Sequence, residues 1–235
     1  MGSGPVSVDF EQYPKLNYSG VLDWLVSVNC PFDVWRKQPT YLLSECIFLL
    51  AALLNLAHAI RVGGRWKYLW LGTVIHGLTI ENVAFWFPEY IDNYWHSQTT
   101  IVLLGRRLPL HIICLSNNVR IFGISLPYSL LIDPAFTYTA SVSVARLRLP
   151  RWAEPFAVGL TEVLIDIPYD IMAVRFVHWT WHDTDPNIFD RHYWVPWNSY
   201  YFHATFAASF TFFFHFYRRV FIGNGDKWAS SNWCV

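Results

Sequence analysis

The sequence predicts an all-α protein, a polytopic membrane bundle of five to six transmembrane helices. Three observations lead there. Hydrophobic residues make up 54% of the 235 residues and charged residues only 14%, against about 25% charged in a soluble domain. Aromatic residues reach 19%, with 13 Trp, 13 Tyr and 18 Phe. Apolar stretches recur at the length a bilayer demands, about 20 residues per spanning helix. Too little polar surface remains to coat a water-soluble globule, and disorder, a coiled coil and a disulfide scaffold are excluded on the same grounds.

The expected spans follow in chain order. Residues 41–60 form the first, ending at Arg61, and residues 68–87 the second, stopping at Pro88. Residues 108–149 are apolar but broken by Asn117, Asn118, Arg120, Pro127 and Asp133-Pro134, too long for one straight helix and barely enough for two. Residues 152–177 and 197–220 supply the last spans. The expected organisation is a polar N-terminal segment at 1–40, a transmembrane domain at 41–221 and a tail at 222–235.

Orientation is set by Lys and Arg in short loops. Three basic clusters stand out: Arg61, Arg65 and Lys67; Arg146, Arg148 and Arg151; and Arg218-Arg219. All three share one side if residues 108–149 cross an odd number of times, which sends the 89–98 and 177–196 loops to the other face. Arg106-Arg107 then sits on the unfavoured side. Lys plus Arg equals Asp plus Glu at 17 each, so no overall field attracts nucleic acid. Four cysteines without a CxxC read as structural thiols, and Asn17-Tyr18-Ser19 is a formal glycosylation sequon.

Ionisable groups at bilayer depth are costly and therefore functional candidates. Glu162, Asp166 and Asp170 follow one another at i, i+4, i+8. On a helix they drift only about 80° and make one acidic stripe about 12 Å long. Pro168 lies between them and removes one helix hydrogen bond. Pairing with Arg120 or Arg175 would make the acids braces between helices. A shared pocket would make them catalytic or ligand-binding.

Glu81 is the second intramembrane acid, expected at nearly the same depth as Asp170. Opposed carboxyls in a dry pocket tend to divide the work, one giving up a proton and the other taking it. His76 lies about 140° around the helix from Glu81 and is not its obvious partner. Glu45 and His58 read as helix contacts. His178 and His182 are four apart, with Asp183, Asp185 and His192 nearby, but no HxxHH cluster accompanies them, so no metal and no redox cofactor is expected. His111, His203 and His215 read as scattered polar helix contacts. Trp194 reads as part of an interfacial aromatic belt, and Trp179 and Trp181 as belt or pocket lining.

Two stretches resemble the membrane carotenoid hydratases of the bisanhydrobacterioruberin-hydratase type, a carotenoid biosynthesis family. One runs from Asp166-Ile167-Pro168-Tyr169-Asp170 to Arg175, then Trp179-Thr180-Trp181, then Val195-Pro196-Trp197-Asn198. The other comprises Glu81, Glu89-Tyr90 through Tyr94, Leu104-Gly105 and Pro109-Leu110. The likeness covers roughly residues 76–205. Ile171 stands where the family usually has Pro, Trp194 where it has Gly, and the chain ends soon after the last matching segment.

The resemblance implies a hydro-lyase that adds water to a terminal C=C of an acyclic carotenoid. In that reading Asp170 or Glu81 donates the proton and Asp166 orients or deprotonates the water. Trp179 and Trp181 flank the cation, Asn198 holds the water or a neighbouring carboxylate, and Tyr94 joins the substrate site. The expected partners are the lipid bilayer and a hydrophobic small molecule. Two other classes fit the same residues: a non-enzymatic membrane protein binding a lipid or carotenoid, and a proton-coupled transporter.

Overall fold

A computed structural model describes residues 20–21, 26–28, 31–86, 94–96, 101–103, 106–107, 132–181 and 190–222. Among them the architecture is helical. A short helix, α1 (Pro31–Lys37), has Asp33 in its first turn and Arg36 and Lys37 in its last, matching the helix dipole. Gln38 separates it from α2 (Pro39–Val62), which opens on Pro39 where no amide donor is needed. Gly63 closes α2 by donating to the Ala59 carbonyl at 2.9 Å. Gly63 and Gly64 both take left-handed φ, 76° and 54°, and reverse the chain into α3 (Arg65–Trp86).

The C-terminal half holds α4 (Ile132–Ala145), α5 (Glu154–Arg175) and α6 (Trp197–Ile222). The observed bounds differ by a few residues from the expected spans. The exception is 108–149, where the described helix is only the 14 residues of α4. The helix α5 ends where the Phe176 amide bonds the Met172 carbonyl and the His178 amide bonds that of Ala173. His178 therefore lies beyond the helix, and a shared helix face with His182 is not formed from this side; His182, Asp183 and Asp185 are outside the described residues.

Side-chain contacts fix the helix directions. Phe48 of α2 packs edge-on against Phe136 of α4 at 5.3 Å, Asn55 donates to Thr139 Oγ1 at 2.9 Å, and His58 meets the Tyr138 hydroxyl at 2.9 Å. The early part of α2, at Phe48, meets Ala135 and Phe136, and its later part, at Ala59, meets Tyr138 and Val142, so α2 and α4 run parallel. Leu69 near the start of α3 packs with Ala59 and Tyr138, so α3 runs opposite. In the same way Glu154 at the start of α5 meets His215 near the end of α6. The ends carrying Arg61, Arg65 and Lys67, then Arg146, Arg148 and Arg151, then Arg218 and Arg219, consequently gather at one end of the bundle.

The other end is closed by short strands. β2 (Tyr94–His96) pairs antiparallel with β5 (Trp179–Trp181), Tyr94 opposite Trp181, which brings the two expected loops together. Near them Gln38 donates to the Phe176 and Val177 carbonyls at 2.8 and 3.0 Å, tying the entry of α2 to the exit of α5. A three-stranded sheet of β1 (Val26–Val28), β3 (Ile101–Leu103) and β4 (Arg106–Arg107) is also present. Finally β6 (Arg191–His192) and β7 (Val195–Pro196) form a hairpin that feeds directly into α6. Its two turn residues, Tyr193 and Trp194, take φ of 50° and 73°, a conformation that suits glycine.

The outer face of the bundle is apolar, and its interior combines apolar clusters with buried carboxylates. On α5 the outward stripe is Phe156, Leu160 and Leu164, all more than 60% exposed, while Glu154, Glu162, Asp166 and Asp170 face inward and are buried. The outer faces of α2 and α6 carry Leu43, Ile47, Leu50, Leu54, Phe212 and Phe216. Among the described residues α2 is the one helix long and apolar enough to cross a membrane by length and composition alone. By length and composition the described residues thus supply one of the expected five to six spans.

Candidate functional site

The site lies between α5 and α6. On α5 the positions 154, 158, 162, 166 and 170 are all buried and follow one another every four residues, the spacing that keeps one helix face turned the same way. On α6 the facing positions are Ser199, His203, Ala207, Thr211 and His215, again four apart. Small residues let the two backbones approach. A Cβ on Gly159 would run into the Ala204 carbonyl oxygen and come within 3.3 Å of the Ala208 methyl.

Polar groups pair across this seam. Ser199 donates to Asp170 Oδ2 at 3.0 Å in a buried contact. His203 stands between two acids, with Nε2 3.5 Å from Asp166 Oδ2 and Nδ1 3.5 Å from Glu162 Oε1. Asp166 and Asp170 are themselves within hydrogen-bonding reach of each other. Toward the other end of the seam, His215 Nε2 lies 3.6 Å from Glu154 Oε1. Two acidic residues thus share one imidazole, and a third is joined to the set through Asp166.

The sequence predicted the acid stripe, and the structure buries all three of its members on one face. Arg175, weighed as a brace for them, is exposed at the far end of α5. The other proposed brace, Arg120, lies outside the described residues. Histidines of α6 stand opposite Glu154, Glu162 and Asp166. His203 and His215, expected as polar helix contacts, make such contacts and line up along the α5–α6 seam. Sequence reasoning also passed over Glu154 and Ser199. The signal was present in the matching four-residue spacings, but nothing in one sequence says which two helix faces meet.

The remaining candidates are placed unevenly. Trp181 is buried with Ala173, Val195 and Tyr200, and this cluster covers the Asp170 end of the seam. Asn198 is half-buried in the first turn of α6, next to Ser199, and its Oδ1 accepts no hydrogen bond among the described residues. Glu162 Oε2 likewise accepts no hydrogen bond among the described residues. Glu81 lies on α3 beyond His76, and its side chain, like those of Glu45, Tyr94 and Trp179, is outside the described residues; the opposition of Glu81 and Asp170 is thus not described. His76 itself packs on the Phe210 ring at 4.9 Å, on the side of α3 that meets α6.

Two further groups frame the site. His192 stacks on Trp197 and its Nδ1 lies 3.3 Å from the Tyr200 hydroxyl, which fixes the first turn of α6 where Asn198 and Ser199 sit. His178 is buried beside the Tyr41 ring, with Nε2 3.1 Å from the Thr40 hydroxyl. Burial pushes its imidazole down to about 4. Among the described residues no group of three or more His, Cys, Asp or Glu side chains has an arrangement that would hold a metal ion. Chemically, the seam offers proton donors and acceptors in mutual contact.

A family model described as a domain of unknown function, DUF7802, matches residues 14–232. No curated protein and no solved structure matches the chain. With nearly the whole length covered, the chain belongs to the DUF7802 family.

Proposed function

We propose that this is an integral, multi-pass membrane protein whose α5–α6 seam performs acid–base chemistry on an apolar, membrane-dissolved isoprenoid, adding water across a carotenoid-type C=C. The membrane part of the reading is supported by the inverted polarity of the bundle. Large apolar side chains face outward while carboxylates and imidazoles face inward, the reverse of what water selects. The gathering of the basic clusters at one end supports a fixed orientation.

The observation that carries the chemical part is the contact between Asp166 and Asp170, with Ser199 on one side and His203 on the other. Asp170, in its protonated form, gives its proton to one alkene carbon, and the neighbouring carbon becomes a tertiary cation. Water attacks that carbon, and its surplus proton passes to Asp166. The net change is one water added across one double bond, with no electrons exchanged. Asp166 then holds the proton that Asp170 has lost, and their contact lets it return, which restores the starting state. Trp181 lies on the Asp170 side of the seam, where an aromatic face would stabilise the cation.

Expression in a host that accumulates an acyclic carotene tests this reading. Chain-dependent appearance of a hydroxylated carotene supports it, and Asp170→Asn in a folded protein should lower the product at least about a hundredfold. A coloured complex that carries only unmodified carotene would establish binding without catalysis instead.

A second reading is favoured by one feature, a further acid–imidazole pair of Glu154 and His215 at the basic end, beyond Val158 and Ala207. From residue 154 to residue 170 is about 24 Å, most of the depth of a bilayer core. Acids spread over that length suit a proton path. Proton flux into liposomes that is abolished by Asp166→Asn would favour it.

A further inference from the structure

At the basic end the α5–α6 pair forms a cavity of about 520 Å³ that neither Asp166 nor Asp170 lines. Its walls combine two chemistries. Arg151, Arg218 and Arg219 supply guanidinium groups, and Phe156, Phe212 and Phe216 supply exposed rings. The one carboxylate among the lining residues is Glu154, which His215 faces from α6 at 3.6 Å. A single guanidinium would offset that carboxylate, so positive charge remains in excess.

The two chemistries are arranged in order of depth. Arg219 lies seven residues beyond Phe212 on α6, a rise of about 10 Å, and Arg151 precedes Phe156 across the turn that starts α5. Charge therefore stands at the end of the helix pair and the rings stand further toward its middle. Trp152, 74% exposed at the boundary, is the residue type that settles at a headgroup interface.

We propose that this cavity binds one anionic phospholipid, its phosphate held by Arg151 and Arg219 and one acyl chain laid along Phe156, Phe212 and Phe216. Guanidinium forks match phosphate oxygens in pairs. A free phosphate would satisfy the arginines but leave the rings uncovered, whereas a phospholipid satisfies both. The inference rests on the membrane reading above and is independent of the hydration chemistry.

The test uses the full chain, purified in mild detergent and placed in nanodiscs of phosphatidylcholine with a minority of phosphatidylglycerol. Native mass spectrometry of released protein should show phosphatidylglycerol retained in clear preference to phosphatidylcholine. The Arg151→Gln/Arg219→Gln variant should lose that preference by roughly tenfold or more, while Asp166→Asn keeps it. Equal retention of the two lipids by the unaltered chain would overturn the proposal without relying on any variant. Displacement of phosphatidylglycerol by millimolar inorganic phosphate would also overturn it, by showing a site for a free anion. A chain that stays monodisperse with no detergent would instead overturn the membrane reading.

Discussion

Ser199 and Asp170 are joined by a buried hydrogen bond of 3.0 Å, the serine hydroxyl donating to Oδ2 across the α5–α6 seam. It ties the first turn of α6 to the acid nearest the Trp181 cluster. Ser199→Ala leaves a buried carboxyl oxygen without its donor and is expected to cost about 1–3 kcal/mol. The fall in melting temperature of the detergent-solubilised protein measures this. Ser199→Thr, which keeps the hydroxyl, should recover most of the loss.

His203 shares its two ring nitrogens between Glu162 and Asp166, each at 3.5 Å. His203→Ala leaves both acids without the imidazole between them, at a cost of about 1–3 kcal/mol. Adding Glu162→Gln removes one of the stranded carboxyls, so the double variant should be more stable than the sum of the two single effects. Strict additivity in that cycle would mean that the imidazole and the glutamate do not interact.

Gly159 is the point of closest approach between α5 and α6. A methyl group there meets the Ala204 carbonyl, which belongs to the backbone and cannot swing aside. Gly159→Ala should destabilise the protein by about 1–3 kcal/mol despite the better helix propensity of alanine. Any activity should fall with it, because the seam must open to admit the methyl. Denaturation and turnover measured side by side check both.

His178 lies in the segment after α5, outside the helices, and its folded pKa of about 4 is below the ordinary imidazole value. The folded protein therefore holds fewer protons than the unfolded chain between about pH 6.5 and the folded value. Its contribution is fully present above about pH 6.5 and declines as pH falls through this window, by at most about 1.4 kcal/mol per unit. Below the folded value the dependence levels off. Melting curves across the window should show a slope that His178→Gln reduces.

Trp194 carries a φ of 73° in the β6–β7 turn, where the hydratase resemblance implies glycine. Trp194→Gly should relieve about 1 kcal/mol of backbone strain, partly offset by the freer unfolded chain. A raised melting temperature would check it. The hairpin feeds α6 directly, so the gain should leave the Ser199–Asp170 bond in place.

Much of this fold was legible in the sequence because apolar run length and the four-residue spacing of the acids are local properties. Helix α2 was expected at 41–60 and is observed as Pro39–Val62, and the last apolar stretch, expected at 197–220, is observed as the helix Trp197–Ile222. That Glu162, Asp166 and Asp170 share one helix face followed from their spacing alone. What could not be read was which faces meet. His203 looks isolated in sequence because its partners are some forty residues away on another helix. Glu154 sits beside a basic loop and reads as a surface charge until α6 covers it. The pairing of Tyr94 with Trp181 joins segments too distant for any periodicity to connect.

The central claim is that the buried acids move protons so that water adds to a carbon–carbon double bond. Membranes containing the chain, supplied with an acyclic carotene in heavy-oxygen water, test it most directly. The account predicts a product whose new hydroxyl carries the heavy oxygen, with one solvent hydrogen on the adjacent carbon, and loss of that product in Asp170→Asn. A hydroxyl drawn from molecular oxygen, or an undiminished rate in the Asp170→Asn protein, would contradict it.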